Sequence, residues 1–345
     1  MGQTIKSRNI SLNFFEILAC IMIIFIHAPF PGHIGEFITG LAKFGVPLFF
    51  AISGYYLYNE GITVENLRRK LNKRIKRILL LIILDIFIYL SILIFHNRNN
   101  LKEYFNSIIS IYKIIEFLLF NHPLLGMTSW FLYAMLYAYV FLYIFAKMFL
   151  KNNFIIIFFI CLAFMHPIVR IIMFKTELSF YGYALSSVIL YLNWYFDALP
   201  CICLGVFLKK NKEMFEKINI KIDIVLIILF FILSGIAQIC YANNNVSSNI
   251  HFSNIFCVSF IIIFTQKKPN LFSKLKFIEN TGTWTMLVYI LHPAMIFMVR
   301  KIVTNSFSEY LFPLVVAIST VIVVSAICYI IRIIKKRTQK NELTL

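Results

Sequence analysis

The sequence predicts an all-α, polytopic membrane protein with about ten transmembrane helices and both termini in the cytoplasm. Composition, segment lengths and the placement of charge predict it. The 345 residues are 60% hydrophobic, where a soluble domain is nearer half. Apolar segments recur near 12–29, 41–58, 78–95, 128–149, 154–174, 193–208, 222–241, 251–265, 283–302 and 310–334. Several approach the ~20 residues a spanning helix needs, while 193–208 and 251–265 are short. The alternation of a membrane barrel is missing, so closed backbone hydrogen bonding in lipid requires helices. With the N-terminus inside, 25 of the 33 basic residues fall in cytoplasmic stretches; the eight elsewhere are Lys43, Arg98, Lys102, Lys113, Arg170, Lys175, Arg300 and Lys301. That asymmetry orients the chain. A net charge of +18 in a soluble protein would point to nucleic acid. Here the bases occupy the gaps between apolar runs, so membrane lipids are the expected partner and nucleic acid is not.

Residues 1–345 read as one integral-membrane domain, a helical bundle over 12–334 followed by a basic cytoplasmic tail over 335–345 that contains KKRTQK. There is no internal repeat or low-complexity linker. The first apolar run is too long for a cleavable signal, and the Met-Gly start carries Lys6 where myristoylation needs Ser or Thr. The seven cysteines fall in apolar segments and read as small packing residues. Cys201 and Cys203 match no zinc spacing, and no metal is expected.

In chain order, the first segment carries Asn13, Glu16 and His27. Glu16 and His27 are eleven residues apart, about three turns and roughly 16 Å along one face. A histidine exchanges a proton near neutral pH and suits a general base; alternatively a backbone carbonyl satisfies it near the helix end before Pro29. Asn13 and Glu16 either mark the helix start or order a polar network or cofactor group. In GVPLFFAISGYYLY, Ser53-Gly54 permits close helix approach, and Ser53 lacks the preceding Gly of a nucleophile elbow. Tyr55, Tyr56 and Tyr58 fit an interfacial belt. The run LRRKLNKRIKR, Leu67 to Arg77, is an anchor on anionic headgroups or a docking surface for the phosphates of an acyl carrier such as coenzyme A. Arg74 and Arg77, three apart, are expected on one face at the membrane edge.

Asp85 and Asp197 are intramembrane carboxylates and so candidates for function or for structural pairing. The stretch 104–120 is apolar but holds Lys113 and Glu116; it reads as an interfacial or re-entrant helix, an eleventh span being the alternative. Trp130 opens the fourth segment at the outer face. In YILHP, Tyr289 and His292 share a helical face in mid-span, with structural and functional roles both open.

The ordered set of a first helix ending in His27, then PLFFAISGYYLY, KRIKR, WFLYAMLYAY, YFDALPCICLG and WTMLVYILHP resembles the membrane-bound acyltransferase-3 family in its stand-alone form. The resemblance spans nearly the whole chain. It implies about ten helices and O-acylation of extracytoplasmic glycans, usually with acetyl groups from cytoplasmic acetyl-coenzyme A. It implies that His27 is the essential histidine and that Arg74 and Arg77 are the paired arginines after the second helix. The chain departs from the family where an arginine usually precedes that histidine: Glu16 stands there, and Asn13 stands at the preceding acidic position.

The expectation is an O-acetyltransferase of a bacterial plasma membrane. His27 would be catalytic; Glu16, Asn13, Ser53, Tyr289 and His292 supporting; Arg74 and Arg77 binding acetyl-coenzyme A; and Trp130 and Asp197 binding a surface or lipid-linked glycan. A homo-oligomer is left open. The alternative is a transporter of a small amino acid or glycan intermediate lined by Asp85, Asp197 and His292, and a third reading is a structural partner of a glycan-synthesis complex.

Overall fold

The computed structural model describes residues 9–96, 111–121, 130–176, 179–180, 183–184, 193–244, 251–275, 281–302 and 306–342. The expectations placed on Met1–Arg8 and on 97–110 lie outside the described residues. The first helices are α1 (Ile10–His27), α2 (Gly32–Ala42), α3 (Gly45–Leu57) and α4 (Val64–His96). They are followed by α5 (Ile111–Phe120), α6 (Trp130–Ile144), α7 (Ala146–Lys151) and α8 (Asn153–Thr176). A π-helical turn at Trp194–Ala198 leads into α9 (Leu199–Lys210), then α10 (Lys212–Glu216), α11 (Ile220–Asn243), α12 (Phe252–Lys267), α13 (Thr281–Arg300) and α14 (Ser306–Glu342). Ser179–Phe180 pairs antiparallel with Tyr183–Ala184, the one strand pairing among the described residues.

The protein is a helical, multi-pass membrane protein. Among the described residues, six stretches are long and apolar enough to cross a bilayer: Ile10–His27, Gly32–Leu57, Val64–Ile94, Ile220–Asn243, Thr281–Arg300 and Glu309–Ile334. Trp130–Ile144, Asn153–Met165 and Phe252–Lys267 are shorter apolar helices.

Local chemistry sets the boundaries. The side chain of Asn9 caps α1 by accepting from the Leu12 amide at 3.0 Å, and its Nδ2 donates to the Thr265 carbonyl at 2.9 Å. The Ser11 hydroxyl donates to the Lys268 carbonyl, so the N-terminal end of α1 is tied to the end of α12. Pro29 and Pro31 stop α1, since neither can supply the amide a continuing helix needs.

The second apolar segment begins earlier than the expected residue 41. The chain turns back at Gly32, and α2 and α3 together form one span. His33 and Glu36 interrupt the apolar run before residue 41, which hides its true start. Lys43 is buried, and its ammonium donates to the Gln238 side chain on α11.

At about 1.5 Å per residue, the 33 residues of α4 reach about 50 Å, well beyond a ~30 Å hydrocarbon core. Its basic first turns therefore project past the bilayer. α14 runs on through the basic residues after 334 to Glu342, so most of the expected tail continues a helix.

Close packing of α3 against α9 depends on two glycines. A Cβ on Gly54 would stand 1.9 Å from the Ile202 carbonyl oxygen, and one on Gly205 would stand 1.8 Å from that of Ala51. Each glycine thus admits the other helix's backbone, the small-residue crossing that substitutes for a hydrophobic driving force in lipid. Among the described residues three apolar clusters fill the bundle: one among α3, α4, α6 and α9, one among α1, α3, α9 and α12, and one among α1, α13 and α14.

Candidate active site

α1 and α13 run side by side in one direction and in constant register. Thr281 Oγ1 donates to Glu16 Oε2 at 3.0 Å. The Cys20 thiol contacts the Thr285 carbonyl at 3.5 Å. The rings of His27 and His292 stand 5.2 Å apart, tilted by 36°. Each pair is 265 positions apart in sequence. Glu16 and His27 thus share the face of α1 that meets α13.

His292 is fully buried. Pro293, lacking an amide, leaves the Tyr289 carbonyl without its helical donor. The His292 ring answers this: Nδ1 stands 3.1 Å from the Val288 carbonyl and also hydrogen-bonds the Tyr289 backbone. Donation from Nδ1 leaves Nε2 as the lone-pair nitrogen, and Nε2 has no hydrogen-bond partner among the described residues. His27, the last residue of α1, is exposed.

Tyr289 continues the line away from the two histidines. Its ring is 5.9 Å from His292 and 5.1 Å from Phe131, and its hydroxyl hydrogen-bonds the Phe131 backbone. Asp85 of α4, buried, interacts electrostatically with Tyr289 and with Tyr133. Sequence reasoning singled out His27, Asp85 and the Tyr289–His292 pair; the packing of α1, α4, α6 and α13 arranges them in one band with Phe131 and Tyr133.

Nearer the N-terminal ends of α1, α4 and α13 is a cavity of about 840 Å³ between α1, α13 and α14, lined also by Arg77 of α4. α1 contributes Ile17 and Ile21, α13 contributes Thr281 to Trp284, and α14 contributes Ser325, Tyr329 and Arg332. The Trp284 indole donates to Ser325 Oγ at 3.2 Å and so spans α13 and α14. Glu16 sits one hydroxyl away from this cavity, through Thr281. Ile21, the α1 lining residue nearest His27, precedes it by six positions, or about 9 Å of rise.

The expected pairing of Arg74 with Arg77 is corrected by the geometry. Residues three apart on a helix differ by about 60° in direction, which is enough to separate them. Arg74 turns into the bundle, where Nη1 donates to the Ser53 carbonyl at 2.8 Å and stands 3.0 Å from the Tyr139 hydroxyl, with the guanidinium over the Tyr139 ring. Arg77 is exposed and faces the cavity. Ser53 contributes its carbonyl to this arrangement.

Asn13 is buried one turn before Glu16. Asp197 is also buried, and Oδ2 accepts from the Asn193 amide at 3.0 Å, closing the π-helical turn that leads into α9. Trp130 is buried at the start of α6, its ring 6.2 Å from Phe50; the neighbouring Phe131 carries the contact to Tyr289. Sequence reasoning did not single out Thr281 or Arg332. Arg332 reads there as one more orienting base.

A multi-pass helical bundle with a histidine pair on one helix register and an arginine-edged cavity beneath it has the parts of a membrane transferase. The family model for an acyltransferase domain, that of the acyltransferase-3 family, matches residues 9–333. The chain therefore belongs to the acyltransferase-3 family and is an acyltransferase. Comparison with curated proteins and with solved structures returns no match.

Proposed function

We propose that the protein moves an acetyl group from cytoplasmic acetyl-coenzyme A to a hydroxyl of an extracytoplasmic or lipid-linked glycan in a bacterial plasma membrane. The observation that carries this reading is the α1–α13 register. It holds two imidazoles together at one end of the pair and ends beside an arginine-edged cavity at the other. The accompanying topology is ten spans with both termini cytoplasmic, supported by the 25 basic residues on that side.

In this reading the donor's phosphates remain at the basic mouth and its thioester extends along α1 toward His27. His27 takes the proton from the acceptor hydroxyl as the oxygen attacks the thioester carbonyl carbon. The carbon–sulfur bond breaks, the ester forms, and the thiolate of coenzyme A leaves and recovers the proton. His292 Nε2 is the acceptor that would hold an N–H of His27, leaving the second His27 nitrogen as base; this is the logic of a base oriented by a third group. Trp130 and Asp197 remain candidates for the acceptor side.

The test is His27→Ala in protein shown to remain in the membrane, read as acetyl transfer to cell-envelope glycans. Loss of about 10²- to 10⁴-fold is expected for a general base. Unchanged O-acetylation would overturn the proposal.

A further inference from the structure

We infer that Arg332 of α14 forms, with Arg77 of α4, a two-guanidinium clamp for the phosphates of the acyl donor. This deepens the proposed function and rests on it. Arg74, the arginine that sequence spacing pairs with Arg77, is committed to the Ser53 carbonyl and the Tyr139 hydroxyl. The second cation at the cavity comes instead from a helix more than 250 positions further along the chain.

The placement of Arg332 differs from that of an orienting base. Val321, Ser325, Cys328 and Arg332 all line the cavity, and their spacing of three and four makes them one stripe of α14. Ser325 fixes where that stripe points, because its hydroxyl receives the Trp284 indole from α13. Arg332 is thus carried on the face turned toward α13. An anchoring arginine would instead run its stem along lipid toward the headgroups.

Charge makes the cavity selective for anions. Among its described lining residues Arg77 and Arg332 are the ionised groups, and no carboxylate is present. Thr283 and Ser325 add hydroxyl donors, the Thr281 hydroxyl being given to Glu16. Guanidinium forks match the geometry of phosphate oxygens, and two of them on separate helices suit a ligand with more than one phosphate. An anionic lipid headgroup offers the same chemistry, so the experiment must separate a lipid phosphate from a nucleotide phosphate.

The experiment uses the full-length protein in nanodiscs of neutral lipid. Acetyl transfer is measured against acetyl-coenzyme A and against S-acetylpantetheine, which has the same thioester arm and no phosphates. Arg332→Gln is expected to raise the half-saturating concentration of acetyl-coenzyme A at least about tenfold, equivalent to about 1.4 kcal/mol. The maximal rate should change less than about twofold, S-acetylpantetheine should be used as by wild type, and Arg332→Lys should recover part of the loss.

An unchanged titration with acetyl-coenzyme A would overturn the clamp. So would an equal loss with both donors, the mark of a merely structural residue. So would a defect that appears or disappears with added phosphatidylglycerol, the mark of a lipid anchor. Wild-type protein that neither transfers from acetyl-coenzyme A nor is thermally stabilised by it would overturn the donor reading, and the clamp with it.

Discussion

If His292 acts by holding His27, the two residues must behave as a unit under mutation. Replacing His292 with Phe keeps a ring of similar size in a fully buried site. It removes the Nδ1 donor from the Val288 carbonyl and the Nε2 acceptor beside His27. Two costs follow. One falls on stability: a lost hydrogen bond is worth about 0.5–1.5 kcal/mol, and a backbone carbonyl left unsatisfied costs about 1–3 kcal/mol. The Tyr289 carbonyl, already deprived of an amide by Pro293, is the group left exposed to that cost. The other falls on rate, because an unheld imidazole spends less time in the productive orientation. Ten- to a hundredfold, about 1.4–2.7 kcal/mol of transition-state stabilisation, is the expected size.

The decisive measurement is the double-mutant cycle, since groups acting together are non-additive. His27→Ala, His292→Phe and the double variant are compared for transfer of radiolabelled acetyl from acetyl-coenzyme A into the envelope glycan fraction, each normalised to monodisperse protein in detergent. If His292 works through His27, adding His292→Phe to His27→Ala changes the residual rate by less than about threefold. Fully multiplicative losses would show that His292 acts independently and would refute the orienting role.

The remaining predictions concern the scaffold around the site. Gly54→Ala places a methyl 1.9 Å from the Ile202 carbonyl oxygen, so α3 and α9 must part; a loss above the about 1–3 kcal/mol typical of overpacking is expected, read as thermal unfolding in detergent. Arg74→Gln forfeits charge-assisted hydrogen bonds to Ser53 and Tyr139, each worth about 1.5–3 kcal/mol. It should lower the unfolding temperature and leave the half-saturating concentration of acetyl-coenzyme A within about twofold, which sets it apart from Arg332→Gln.

Much of the helical framework was legible because lipid leaves the backbone few choices. Among the described residues, each apolar run named from the sequence falls mainly on helix, and the eleven-residue spacing of Glu16 and His27 placed both on the face that meets α13. What escaped has physical causes. The start of α2 was hidden because His33 and Glu36 break the apolar run before residue 41, and the two side chains pair with each other at 2.9 Å. The divergence of Arg74 from Arg77 was hidden because i,i+3 residues lie on neighbouring directions, and only the packing of Tyr139 and Ser53 decides which one turns inward. Arg332 looked like an anchor because positive-inside patterning and ligand binding use the same residue type in the same leaflet. The meeting of His27 with His292 depends on two helices separated by most of the chain, and no local period encodes such a contact.

The departure at Glu16 gains a physical meaning from this register. Two arginines already edge the cavity from α4 and α14. A third cation at position 16 of α1, where the family usually has arginine, would add repulsion beside them at low dielectric. Glu16 instead accepts from Thr281, a residue of the cavity wall, so its carboxylate is satisfied just behind that wall. The same bond sets the offset between α1 and α13 near their N-terminal ends. Eleven residues further along both helices the rings of His27 and His292 meet, and a slip of one residue would rotate one ring about 100° away from the other. The carboxylate at one end of the pair and the imidazoles at the other are therefore parts of one alignment, and a change at position 16 acts on His27 through geometry before it acts through charge.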